Sequence, residues 1–196
     1  MNKQKRGIMR VISGVARGTK LDTIESMNTR PTLDRVKESF FNIIQKDIEE
    51  DSVVLDLFSG SGSIGIEFIS RGCQKAYLCD KSYEAINVIK KNLQKTRFTE
   101  SAIVINKDYK KCLKNLSEEN IKFDIIFLDP PYDANIAIDA VKTILSLKLL
   151  NESGKIIIET DKEERELNGL KELNLNVYDC RKYGRVSLIF LSQKGV

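Results

Sequence analysis

The stretch VVLDLFSGSGSIGIEFISRG, residues 53–72, decides the fold. Its first six residues are a short apolar run of the kind that forms a strand buried in a sheet. A glycine-rich turn follows, and then a helix that stops at Gly72. The same alternation continues outward. KAYLCD (75–80) reads as a second strand, after which Ser82 caps a helix carrying Ile86, Ile89 and Leu93. AIVINKD (102–108) and FDIIFLD (123–129) supply the third and fourth strands, and GKIIIET (154–160) the fifth, after a helix around residues 136–147. The closing pair, LNVYDC and RVSLIFLS, leaves little room for a helix between them, so those two strands are expected to be antiparallel. The expected fold is α/β: a doubly wound, mostly parallel seven-stranded sheet, with ligands at the strands' carboxyl ends.

Ahead of this unit, MRVISGVARGTKLDT (9–23) alternates around Gly14 and Gly18 and reads as a short hairpin. Leu33, Val36, Phe40, Ile43 and Ile44 follow at helical spacing after the start signal Pro31. We therefore divide the chain into a basic hairpin-and-helix extension, residues 1–50, and a ligand-binding domain, residues 51–196. The net charge of +4 is unevenly placed. Residues 1–20 carry six cations and no acid, whereas the rest holds 26 cations against 28 acids. That asymmetry points to an anionic partner, nucleic acid first, with a plain solvated tail as the alternative. Four cysteines without C-x-x-C spacing, and no histidine at all, argue against a metal site, a disulfide framework and any imidazole-based mechanism. No apolar stretch approaches membrane-spanning length, and a cytoplasmic monomer without metal or membrane contact is expected.

Four strand ends carry an acid: Asp56, Asp80, Asp108 and Asp129. GSGSIG (60–65) matches the dinucleotide fingerprint, with Asp80 20 residues beyond Gly60. Two features oppose a nicotinamide dinucleotide. Asp56 sits where a pyrophosphate would lie and would repel it. The stretch DPPY (129–132) also has no role in hydride transfer. The same carboxylate suits a cationic ligand such as S-adenosylmethionine, with Asp80 accepting from ribose hydroxyls and Asp108, beside Tyr109, from an adenine amine.

DPPY has a mechanical logic for methylating an exocyclic amine, whose lone pair is delocalised into its ring. The Asp129 carboxylate and the Pro130 carbonyl are both acceptors and could hold the two N–H groups, aiming the lone pair at the methyl. Tyr132 offers a face for the base, worth about 1–3 kcal/mol per stacked base. An ordinary Asp-Pro-Pro turn is the alternative.

These motifs, VLDLFSGSGSIGIE, LCDK, NKDY and LDPPY, resemble in order those of class I S-adenosylmethionine-dependent amino-methyltransferases, a Rossmann-like fold. Together with MRVISGVARGTKL, RPTLDRVKESFFNI (30–43) and KYG (182–184), they are similar to the RsmD-type 16S rRNA guanine-N2 methyltransferases, from Met9 to about Leu191. The resemblance implies methylation of guanine 966 on N2 in the small ribosomal subunit. It implies a catalytic platform of Asp129, Pro130 and Tyr132, and a cofactor site of Asp56, Phe58, Gly60, Gly62, Asp80, Asp108 and Tyr109. It places Arg30, Pro31 and Thr32 over the site and Arg10, Arg17 and Arg35 against rRNA phosphates. Ser59 and Asp80 depart from the family's frequent Ala and Glu.

Other readings stand beside these. DPPY also serves adenine-N6 and cytosine-N4 DNA methyltransferases, though 196 residues leave little space for their target-recognition region. A non-catalytic RNA-binding module predicts an eroded site, and a dehydrogenase predicts preference for NAD. Arg35 has a reading as a plain exposed helical residue, Phe40 and Phe41 as core, and Tyr183 with Gly184 as a hairpin turn. Removing residues 1–20 should weaken RNA binding and flatten its salt dependence; an unaltered slope would return that segment to a solvated tail.

Overall fold

The computed structural model describes residues 9–24, 31–131 and 135–194, with residues 31–35 described by backbone alone. Its elements run α1 (Pro31–Ile44), β1 (Val53–Asp56), α2 (Ser63–Ser70), β2 (Lys75–Asp80), α3 (Tyr83–Thr96), β3 (Ala102–Asn106), α4 (Tyr109–Glu118), β4 (Phe123–Leu128), α5 (Ile136–Ser146), β5 (Leu150–Thr160), α6 (Glu163–Leu170), β6 (Leu175–Tyr183) and β7 (Val186–Gln193). The strands form one sheet in the order β3-β2-β1-β4-β5-β7-β6. Every pairing is parallel except those of β7, which runs antiparallel to both β5 and β6. The order reverses between β1 and β4, which opens a crevice above their carboxyl ends.

Alternation along the strands sorts the core into two layers. Leu55, Ile126, Leu128, Ile156 and Ile158 face α4 and α5, against Leu113, Leu116, Val141 and Ile144. Val54, Ile125, Phe127 and Ile157 face the other way, against Phe40, Phe41, Ile66, Phe68 and Ile89. Phe40 and Phe41 are core, stacked edge to face with centroids 4.6 Å apart. Ser82 caps α3 as expected, its hydroxyl accepting from the Ala85 amide at 3.3 Å. The β6–β7 connection is a tight turn at Gly184, with φ at 65°.

The expected N-terminal hairpin forms around an antiparallel bridge between Arg10 and Lys20, with the Val11 amide donating to the Thr19 carbonyl at 3.0 Å and the Leu21 amide to the Met9 carbonyl at 2.9 Å. Toward its tip, the hairpin's amides turn to α2. Ile12 and Ser13 each donate to the Glu67 carboxylate at 2.8 Å, and Val15 donates to the Ser70 carbonyl at 2.8 Å. Gly14, at φ 79°, crosses so close that an added Cβ would lie 1.7 Å from the Ser70 oxygen. Glu67 is fully buried and also meets Lys37 at 3.3 Å and Arg71 at 3.0 Å. Two helices lay outside the expectation: α4, whose lysine-rich sequence hides a stripe of Cys112, Leu113 and Leu116, and the short acidic α6.

Because Val11 is buried, deleting residues 1–20 would cost packing as well as charge. The exposed Arg17 and Lys20 test charge alone when replaced by Gln. Glu67→Ala should strand two buried cations and two amides and lower stability by about 3–5 kcal/mol. A urea midpoint equal to wild type would contradict this anchoring role.

Candidate functional site

At the crevice the glycine turn is held by two carboxylates. Asp56 Oδ2 accepts from the Gly65 amide at 3.1 Å, and Asp80 Oδ2 accepts from the Gly60 amide at 2.9 Å. The turn uses the left-handed region at Gly60 (φ 52°) and Gly62 (φ 78°), where other residues are strained. Gly65 lets α2 settle on β2, since a Cβ there would sit 2.8 Å from Leu78. Asp80 Oδ1 accepts from the Ser82 amide at 2.8 Å, so that carboxylate is fixed at both oxygens while still lining the crevice.

Two pockets lie side by side. One, of about 430 Å³, is lined by Phe58, Asp80, Asp108, Tyr109, Asp129 and Pro130 among others. Asp108 caps α4 through Oδ1 on the Lys110 amide at 3.0 Å. Tyr109 packs against Phe58 with centroids 5.6 Å apart, and its hydroxyl donates to Asp139 on α5 at 2.6 Å. Burial and that bond push the Tyr109 phenol up, while the bond, together with Lys110, holds the Asp139 carboxyl down. The second pocket, of about 160 Å³, is lined by Lys37, Phe40, Asp56, Ser63, Asp129 and Glu159 among others. Phe58 and Asp129 border both.

The second pocket gathers three acids by the logic of the sheet. Asp56, Asp129 and Glu159 each lie two residues beyond Val54, Phe127 and Ile157, which face the α1 side. Strand period two therefore points all three carboxyls the same way. Asp56 is 2 % exposed and Glu159 9 %. Loss of hydration pushes Asp56 and Asp129 to about 7 from an ordinary 3.8, with repulsion from Asp129 and Asp80 adding to the effect at Asp56. Burial, then Asp129 and Asp56, drive Glu159 upward as well. Sequence reasoning missed Glu159, although β5 ends in an acid as the other strands do.

The structure thus brings Asp56, Phe58, Gly60, Asp80, Asp108, Tyr109, Asp129 and Pro130 to one crevice, with Gly62 shaping its turn. Arg10 and Arg17 are exposed on the N-terminal segment and line neither pocket. The backbone of Pro31, Thr32 and Arg35 belongs to α1. Tyr132 and Arg30 lie outside the described residues. The donor set fits S-adenosylmethionine. Asp80 and Asp108 offer acceptors to a nucleoside, Phe58 and Tyr109 an aromatic wall, and buried Asp56 and Asp129 want a cation, which a sulfonium with its ammonium supplies.

The family described as conserved hypothetical protein 95 matches residues 9–192. Ribosomal RNA small subunit methyltransferase D of Haemophilus influenzae is 38% identical over 184 residues, covering 91% of this chain and 94% of its own. The Escherichia coli protein of the same name is 31% identical over 175 residues, covering 89% and 84%. The solved Escherichia coli protein yhhF, assigned as a methyltransferase, superposes with a TM-score of 0.81 at 27% identity, covering 97% of this chain and 100% of its own.

Folded Asp56 and Asp129 keep their protons up to about 7, whereas unfolded carboxyls lose theirs near 3.8. Ligand-free stability attributable to them should therefore fall as pH rises through that window and level off above it. Binding of S-adenosylmethionine below about 7 should release protons, read by calorimetry in buffers of different ionisation enthalpy. Binding without proton release would contradict the carboxyl assignment.

Proposed function

Because this chain belongs to the ribosomal RNA small subunit methyltransferase D family, we propose that it methylates the exocyclic N2 amine of a guanine in 16S rRNA, guanine 966 by the resemblance of its motifs. The methyl donor is S-adenosylmethionine. When bound, it supplies a methyl made electrophilic by its sulfonium sulfur. The observation that carries the reading is that Asp129 borders both pockets, one suited to the cofactor's nucleoside and the other open on the side of α1.

The residues of this chain position and deprotonate. Asp80 and Asp108 seat the nucleoside on the β2–β3 side, and Phe58 separates it from the second pocket. Asp129 Oδ and the Pro130 carbonyl accept from the two N–H groups of the amine, which turns its lone pair toward the methyl. Pro130 has no N–H of its own, so this turn offers an acceptor without a competing donor. Once methylated, the amine would pass its surplus N2 proton to Asp129. A carboxyl pushed to about 7 is matched to that task near neutrality. Holding the amine in line can supply on the order of 7–11 kcal/mol of the barrier reduction. Tyr132 would stack on the base, and Arg30, Pro31 and Thr32 would fold over it. Arg10, Arg17 and Arg35 would meet rRNA phosphates, adding affinity through counterion release and no base identity.

Asp129→Ala should abolish methyl transfer to small ribosomal subunits while leaving S-adenosylhomocysteine affinity within a few-fold of wild type. Turnover near the wild-type rate would overturn the catalytic assignment.

A further inference from the structure

Glu159 is the acid that the cofactor does not account for. Strands β1, β2 and β3 carry the nucleoside side, whereas Glu159 ends β5, beyond β4 in the sheet and on the far side of Asp129. Its neighbour relation to Asp129 follows from register: Leu128 pairs with Ile158, so Asp129 and Glu159 leave adjacent parallel strands side by side. It is 9 % exposed and lines the pocket bounded by Lys37, Phe40 and Leu188. Among the described residues no hydrogen-bond donor and no cation is paired with its carboxyl, whereas buried Glu67 takes four such partners. A buried carboxylate without a donor is costly and calls for one from outside.

We propose that this pocket reads the target base, Glu159 accepting the N1–H of guanine while Asp129 and the Pro130 carbonyl hold the neighbouring N2 amine. This rests on the reading of the chain as a guanine-N2 methyltransferase. On guanine the N1–H and the N2 amine are adjacent donors along one edge, and two acceptors on adjacent strands match that spacing. Adenine and cytosine present a ring nitrogen lone pair beside their exocyclic amine. Either would set acceptor against carboxylate, so the same residue that seats guanine repels the other amino bases. Glu159 thus discriminates through the base edge, while the basic N-terminal segment contributes only affinity.

The decisive probe is 2-aminopurine, which keeps the N2 amine and lacks the N1 hydrogen. Small subunits reconstituted with guanine or 2-aminopurine at the target are compared as substrates of wild type and Glu159→Gln. Wild type should favour guanine by about tenfold or more in kcat/KM, the scale of one hydrogen bond to a charged group. Glu159→Gln, whose amide offers both a donor and an acceptor, should lose about tenfold or more on guanine, spare 2-aminopurine, and leave S-adenosylhomocysteine affinity within a few-fold. The change in the ratio between the two enzymes isolates the N1 contact from the missing O6. Glu159→Asp should recover part of the guanine preference.

An unchanged ratio in Glu159→Gln, with N2-methylguanine still the product, would overturn this inference and leave the proposed function standing. So would a fall in S-adenosylhomocysteine affinity that matches the fall in kcat/KM, since the carboxyl would then serve the cofactor. If both variants fail to fold, equal use of guanine and 2-aminopurine by wild type overturns it. If wild type methylates only adenine or cytosine, it is the proposed function that fails, and the base assignment with it.

Discussion

Three carboxyl groups held where water cannot hydrate them set the terms for the rest of this molecule. Asp56, Asp129 and Glu159 end three adjacent parallel strands, and the two-residue period of those strands turns them toward one face. Without a ligand they repel one another and hold protons well above the usual carboxyl range. A sheet buried on both faces can place polar groups together only at its strand ends, and here the ends at the reversal of strand order carry them. The arrangement asks for a cation on one side and for hydrogen-bond donors on the other. A sulfonium cofactor answers the first demand, and in the proposed function the Watson–Crick edge of guanine answers the second.

A fourth acid, Glu67, solves a different problem. It is as deeply buried but fully partnered, drawing in the Ile12 and Ser13 amides together with Lys37 and Arg71. Lys37 donates in turn to the Arg10 carbonyl at 2.7 Å and lines the pocket that holds Glu159. The basic N-terminal segment is thereby tied to the wall of the site, and the exposed cations Arg17 and Lys20 are carried at a fixed place beside it. In the proposed function, electrostatic capture of an anionic strand and placement of one base would be joined through a single buried carboxylate, Glu67.

Much of this was legible in the sequence, because strand, glycine turn and helix follow one another in short unmixed runs. The seven strands, the antiparallel closure and the gathering of Asp56, Asp80, Asp108 and Asp129 follow from period and position alone. Three things did not follow. The N-terminal segment is the hairpin its alternation predicts, but no local pattern reveals that its Ile12 and Ser13 amides are held by Glu67. Helix α4 carries three lysines and an asparagine around three buried residues, so its apolar stripe is thin. Glu159 was hidden in plain view: GKIIIET carries an acid one residue before its end, but only the register of β5 against β4 shows that this acid stands beside Asp129.

The most direct test is mass-spectrometric mapping of the nucleotides methylated when small ribosomal subunits are incubated with the protein and labelled S-adenosylmethionine. A single N2-methylguanine in 16S rRNA is the predicted result. Label on an adenine N6 or a cytosine N4, or no label in the RNA, would contradict it.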